Sequence, residues 1–205
     1  MLILSLDSAG SGCGACVWRD SAVLASAFEG MERGQDQRLI PLILEVMKQA
    51  DVTFDDLDRI AVTRGPGSFT GLRIGLAAAR GIGIAASKPV LGIDRFNIFR
   101  EQLGVTDKNI LVVINSKRKE LFCRFYRAEK QPPITSAMTR DEVQTFLADN
   151  PDTIVIGDVP EFSTSKSNET ITAAILAACA DINDLAYLPR PLYLRDADVT
   201  MKKTA

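Results

Sequence analysis

The sequence predicts an α/β protein of two similar lobes, each a mixed sheet flanked by helices. Two observations carry that expectation. The order strand-strand-strand-helix-strand-helix is legible twice, clearly over residues 1–104 and more faintly over 105–205. The chain of 205 residues is 46% hydrophobic and 24% charged, the balance of a soluble globular protein long enough to bury a core.

The first lobe opens on three strands, Leu2 to Asp7, Gly12 to Trp18 and Ser21 to Phe28. Ser8-Ala-Gly-Ser11 turns between the first two, and Arg19-Asp20 reads as a tight hairpin before the third. Leu39, Leu42, Ile43, Val46 and Met47 then fall on one helical face. Pro41 predicts a helix starting around Arg38 to Ile40, because proline is tolerated in a first turn. Thr53-Phe-Asp-Asp56 resembles a capping box for one short turn. Strand Arg59 to Thr63 leads through a glycine-rich loop into a long helix from Thr70 to about Ala86. Strand Val90 to Ile93 and a helix capped at Asp94 and stopped at Gly104 complete the lobe.

The second lobe begins with strand Ile110 to Asn115 and an alternating strand Glu120 to Arg127. A weaker strand spans Ile134 to Met138, and the capping box Thr139-Arg-Asp-Glu142 opens a helix to about Ala148. Strand Thr153 to Gly157 and a helix from Ile171 to Ala180 follow.

The composition removes several chemistries. Histidine is absent, which excludes Ser-His-Asp and Cys-His nucleophilic mechanisms and any histidine-ligated metal. Cys13-Gly-Ala-Cys16 has half the spacing of a zinc site, but no second pair exists, and in a strand the two thiols face opposite sides. No metal site is expected. No apolar run reaches about 18 residues without a charge, and the amino terminus reads as a buried strand instead of a signal peptide. A cytoplasmic chain with no membrane contact is the expectation. The net charge of −2 gives no general drive towards nucleic acid. Locally, Lys117, Arg118, Lys119, Arg124, Arg127 and Lys130 lie close together, either as solvated hairpin edges or as an RNA contact.

Gly65-Pro-Gly-Ser-Phe-Thr-Gly-Leu-Arg-Ile-Gly75 is the least ordinary stretch. A glycine-rich turn between strand and helix can offer backbone N–H groups to an anion, with Asp7, Ser8, Gly10, Gly65, Gly67 and Ser68 as the candidate phosphate-facing set. It lacks the lysine of a Walker loop, and a plain turn with Ser68 or Thr70 as helix cap accounts for much of it. In the following helix Gly71, Gly75, Ala79 and Gly83 recur every fourth residue. Each helical glycine costs about 1 kcal/mol relative to alanine, so the ridge implies close packing, within the chain or across a subunit interface.

Taken together, Leu-Ser-Leu-Asp7-Ser8, Gln37-Arg38-Leu39-Ile40-Pro41, the Gly65–Gly75 stretch and Pro191-Leu-Tyr-Leu-Arg195 resemble the TsaB (YeaZ) family. The resemblance implies the duplicated actin-like (actin–sugar-kinase, RNase H-like) fold and a cytoplasmic bacterial protein. It implies a non-catalytic scaffold subunit of the complex that forms threonylcarbamoyladenosine at position 37 of tRNAs reading ANN codons. Its implied partners are the catalytic paralogue TsaD and the ATPase TsaE, with the donor made by TsaC. The chain would require no cofactor, ATP and magnesium being bound by the partner subunits, and tRNA would be met through the complex. The implied partner surface comprises the first-lobe helices, with Arg38, Leu39, Leu42, Ile43 and Val46 on one and Gly71, Leu72, Gly75, Ala79 and Gly83 on the other. The same surface would serve a homodimer when the partner is absent. Asn115-Ser116-Lys117 stands where relatives carry Asp-Ala-Arg, which removes a carboxylate that active members of the wider fold direct at phosphate or metal. The alternative is a small ATPase or kinase of the same fold acting through Asp7 and the Gly65–Gly75 loop.

Overall fold

Strand β1 (Leu2–Asp7) is covered on both faces and is therefore apolar at almost every position. It lies at the centre of a five-stranded sheet with β2 (Gly12–Arg19), β3 (Ala22–Gly30), β4 (Arg59–Gly65) and β5 (Val90–Asp94), in the order β3-β2-β1-β4-β5. The β1–β2–β3 meander is antiparallel, and β4 and β5 are added in parallel. A second sheet of β6 (Ile110–Ile114), β7 (Glu120–Tyr126), β8 (Ile134–Thr139) and β9 (Ile154–Gly157) has the order β8-β7-β6-β9. That is the first sheet's topology repeated without its fifth strand, as the duplicated sequence pattern requires. The structure, a computed structural model, describes residues 1–104, 107–129, 131–163 and 169–194.

Five helices make three layers around the two sheets. Helices α1 (Gln35–Gln49) and α2 (Phe69–Ala85) cover the outer face of the first sheet, where Leu2, Leu4, Leu6 and Cys13 meet Leu39, Leu42, Ile43, Val46, Leu76 and Ala79. Cys16 falls in the core on the opposite face, as period-two alternation predicts. That face is covered by α5 (Glu169–Cys179), whose Ala173, Ala174 and Ala177 join Ile3, Trp18, Leu91 and Ile93. Helix α3 (Arg95–Gln102) turns Ile98 to this core and Phe96 and Phe99 to Ile110, Val112 and Ile156 of the second sheet. Helix α4 (Arg140–Asp149) closes the far side with Val143.

Of the boundaries that differ from expectation, three bear on the packing. The hairpin turns on Asp20 and Ser21, both at positive φ, so β3 starts one residue late. Helix α1 begins at Gln35 and carries Pro41 inside it. Its first turn is held by Gln35, which donates to the Met31 carbonyl (3.3 Å), and by Arg38, bonded to both Glu29 (2.5 Å) and Glu45 (2.8 Å). Those contacts offset the one backbone hydrogen bond that proline removes. Finally, the division at residue 104 separates the sheets but not the cores, because α5 completes the first lobe from the second half of the chain. Arg59 donates to the carbonyls of Ala177 and Ala180, and Ser5 to that of Thr170.

Candidate functional site

The carboxyl ends of the parallel strands converge between the lobes, where ligands bind in open α/β sheets. Strand β1 ends in Asp7, β5 in Asp94, and β9 is followed by Asp158. A cleft of about 500 Å³ lies there, lined by Asp7, Asp158, Glu169, Thr170, Ser11 and Phe28 among others.

Behind the Asp158 and Glu169 lining sits Arg95, 1% exposed, the first residue of α3. Its Nε and Nη2 donate to the two Glu169 oxygens at 2.5 and 2.7 Å, Nη2 also reaches Asp158 (3.0 Å), and Nη1 donates to the Pro66 carbonyl (3.0 Å). Burial works against the guanidinium charge, and Glu169 and Asp158 more than offset it, so Arg95 stays protonated. Burial pushes the Glu169 carboxyl above its usual range, against the attraction of Arg95, and Asp7 and Asp158 add to that push. Asp158 also accepts from the Asn115 N–H (2.6 Å). Asp158 thus stands beside Asn115 while tied to Arg95.

The expected phosphate-facing residues are brought together, though not as a cradle. Asp7 Oδ1 accepts from the Ala9 N–H (3.0 Å) and from the Thr63 hydroxyl. Ser8 is buried and donates to the Gly71 carbonyl (2.8 Å). In the glycine loop the Ser68 N–H donates to the Ala9 carbonyl (2.9 Å), and the Ser68 hydroxyl caps α2 by accepting from Gly71 N (3.2 Å). A Cβ on Gly67 would lie 2.4 Å from the Ala9 oxygen, and one on Gly71 1.9 Å from that of Ser8. The loop is glycine-rich because it packs on the chain's own β1–β2 turn. Gly65, at φ 110°, likewise packs against the Leu192 carbonyl, and Gly10 lies against the Arg95 guanidinium. Asp7, Asp158 and Glu169 thus gather around the single Arg95 guanidinium.

The helix residues expected at a partner surface are turned inwards. Leu39, Leu42, Ile43, Val46, Leu72 and Ala79 are at most 1% exposed. The ridge Gly71-Gly75-Ala79-Gly83 packs on the chain's own sheet, against Ser8 and Val62 at its start and Val90 at its end. Arg38 is held by Glu29 and Glu45. What α1 and α2 show outwards is a different set: Ile40, Leu44 and Ile84 are 44, 53 and 81% exposed, with Pro41, Ala77 and Gly81 exposed beside them.

The basic run also divides. Lys117, Arg118 and Lys119 are exposed on the β6–β7 turn, with Lys117 at positive φ. Arg124 instead bonds Asp94 across the lobes (2.6 Å) and stacks 4.2 Å over Phe96. Arg127 donates to Gln131 (2.7 Å). Lys130 and Arg195 lie outside the described residues.

Residues 29–156, more than half of the chain, match the family TsaD, tRNA N6-adenosine threonylcarbamoyltransferase. The chain belongs to this family. Among its curated relatives it resembles the tRNA threonylcarbamoyladenosine biosynthesis protein TsaB of Escherichia coli, at 31% identity over 134 residues, 63% of this chain and 57% of that one. The TsaB of Bacillus subtilis is 24% identical over 127 residues, 62% of this chain and 56% of that one. The chain therefore spans less than three fifths of the length of these relatives. Its fold is that of YeaZ from Pseudomonas aeruginosa, with a TM-score of 0.66 at 22% identity over 94% of this chain and 99% of that one. This is the duplicated actin-like architecture. Within the family match fall Arg95 and Asn115, while Asp7, Asp158 and Glu169 lie beyond it.

Arg95, Asp158 and Glu169 were not legible as a set beforehand. A signal existed in the acids that end or follow β1, β5 and β9, since parallel strands aim such residues at one cleft.

Proposed function

We propose that this chain is a non-catalytic, cytoplasmic subunit of the machinery that forms threonylcarbamoyladenosine in tRNA, supporting a catalytic TsaD paralogue. The names of the family and of the relatives supply the pathway. The observation that carries the non-catalytic part is Arg95, whose buried guanidinium ties up Asp158 and Glu169 of the cleft lining. The chain has no histidine to serve as general base, and Asp7 is held through Oδ1 by Thr63 and Ala9.

Pairing uses the outward side of α1 and α2. Ile40, Pro41 and Leu44 stand exposed together on α1 and Ile84 on α2, apolar surface of the kind that marks protein contacts. A paralogue of the same fold offers an equivalent helix pair, and a second copy of this chain uses the patch isologously when the paralogue is absent. The ATPase TsaE joins the pair, and ATP and magnesium are bound by the partners.

Affinity purification of the tagged chain with identification of co-eluting proteins tests this. Recovery of the TsaD paralogue and TsaE supports the reading. The triple variant Ile40→Asp, Leu44→Asp, Ile84→Asp should remain folded and lose both; normal pairing by a folded variant would refute the surface. Micromolar binding of magnesium-ATP with turnover by the pure chain would favour the small ATPase instead.

A further inference from the structure

One side of α2 carries an aromatic and cationic strip that the proposed pairing leaves unused. Phe69 is 37% exposed and Tyr193 41%, with ring centroids 5.1 Å apart. The Arg73 guanidinium stacks 3.8 Å over the Phe69 ring, and its Nε donates to the Tyr193 hydroxyl (3.4 Å). Arg80 donates to the Pro189 carbonyl, beside the exposed Arg190. The 188–194 segment is fixed alongside by the Leu192 N–H, which donates to the Arg64 carbonyl (2.7 Å).

The charge of this strip is one-sided. Residues 59–93 contain no aspartate or glutamate, and neither do residues 185–194, in a chain with 26 acids. Among the described residues Arg64, Arg73, Arg80 and Arg190 have no carboxylate partner, whereas Arg38, Arg95, Arg124 and Arg140 each have one. At 100° per residue, Phe69, Arg73 and Arg80 share the side of α2 turned to the 188–194 segment. Gly81 and Ala85 lie on the other side, where they line a groove with Phe54. Ile84, one turn beyond Arg80, marks the edge that the strip shares with the proposed pairing face.

We propose that Phe69, Arg73, Arg80, Arg190 and Tyr193 form a contact surface for single-stranded RNA. Unpaired nucleotides are bound by cations that meet phosphates together with planar groups on which bases stack, and Phe69, Arg73 and Tyr193 supply the stack. An acidic protein would be met by the arginines alone and has no use for two exposed rings beside them. Arg73 and Arg80 are two turns apart, about 10.5 Å along the axis, which is the rise of about three stacked nucleotides. The inference rests on the reading of the chain as a tRNA-modification subunit, whose RNA has an unpaired anticodon loop. It differs from the contact at Lys117, Arg118 and Lys119, which offers charge on a turn.

The test is fluorescence anisotropy of the full chain with a labelled RNA stem-loop carrying a seven-nucleotide loop, across a salt series. Arg73→Gln with Arg80→Gln should weaken binding at least tenfold at low salt and make the salt slope shallower by about 1.4, or about 0.7 per phosphate contact. Phe69→Leu should weaken binding with the slope unchanged, and neutralising Lys117, Arg118 and Lys119 together should leave it unchanged. Circular dichroism confirms that each variant is folded. Absence of binding by the parent chain, equal binding by the folded arginine variant, or equal competition by polyglutamate would each overturn the proposal. Pairing with the paralogue is scored separately, so a chain that pairs but ignores RNA sinks this inference and leaves the proposed function standing.

Discussion

Alanine at Gly71 and alanine at Gly81 should move stability in opposite directions, although both residues lie in α2 and both gain helix propensity. At Gly81 no atom stands within 4 Å of an added Cβ, so the substitution should stabilise by about 0.5–1 kcal/mol. At Gly71 the Cβ would lie 1.9 Å from the Ser8 carbonyl oxygen and 3.0 Å from its carbon. The start of α2 must then withdraw from the β1–β2 turn by about 1 Å, which is backbone against backbone and has no side-chain relief. Withdrawal breaks the 2.8 Å bond from the Ser8 hydroxyl to the Gly71 carbonyl and leaves a buried hydroxyl unpaired, about 1–3 kcal/mol. Overpacking adds about 1–3 kcal/mol, and the propensity gain returns up to about 1, for a net loss of about 1–5 kcal/mol. Urea denaturation followed by circular dichroism measures both variants, and sedimentation gives their association state. A Gly71→Ala protein as stable as the parent, but unable to self-associate, would show that the ridge serves an interface and that this packing argument is wrong.

Three further outcomes follow from the same contacts. Arg95→Met should destabilise by about 3–5 kcal/mol in denaturant titrations, because Asp158 and Glu169 lose their buried cation; adding Glu169→Gln should recover part of the loss. Native protein should react with a thiol reagent at Cys179 and release the other three thiols only on unfolding. Cys13, Cys16 and Cys123 are buried, and burial pushes Cys16 and Cys123 up to about 12. A fragment ending at residue 104 should show no cooperative unfolding transition, since without α5 the Ile3, Trp18, Leu91 and Ile93 face has no cover; a sharp transition would contradict the shared core.

Most of the fold was legible because its local signals agree with its packing. Thr139 and Glu142 form both halves of a capping box, Asp94 and Ser68 cap their helices, and Cys13 and Cys16 separate to opposite faces as alternation demands. The start of α1 was missed because Gln35 and Arg38 hold the first turn through Met31, Glu29 and Glu45, contacts that no propensity of the first turn contains. The ridge of α2 was read for its spacing, which fixes that something approaches closely but not what. Ser8 and Val90 are 63 and 7 residues from the glycines they meet, Gly71 and Gly83, and the nearest partner in space was the chain itself. Arg95 was missed for the same reason. Its partners Asp158 and Glu169 are 63 and 74 residues away and acquire meaning only once both lobes are folded.

The interlobe contacts bear on whether this cleft can work as an actin-like enzyme does. Two-lobed enzymes close around their substrate by hinge motion, so the contacts between lobes must be cheap to break and remake. Here Arg95, which follows β5 of the first sheet, is bonded to Asp158 after β9 of the second. Arg124 of β7 is bonded to Asp94 at the end of β5, with side chains 13 and 8% exposed. Opening the lobes would have to separate both pairs, Arg95–Asp158 and Arg124–Asp94, and rehydrate their charges. Two ion pairs across the cleft therefore oppose the hinge motion that such enzymes use, in keeping with the non-catalytic role proposed above.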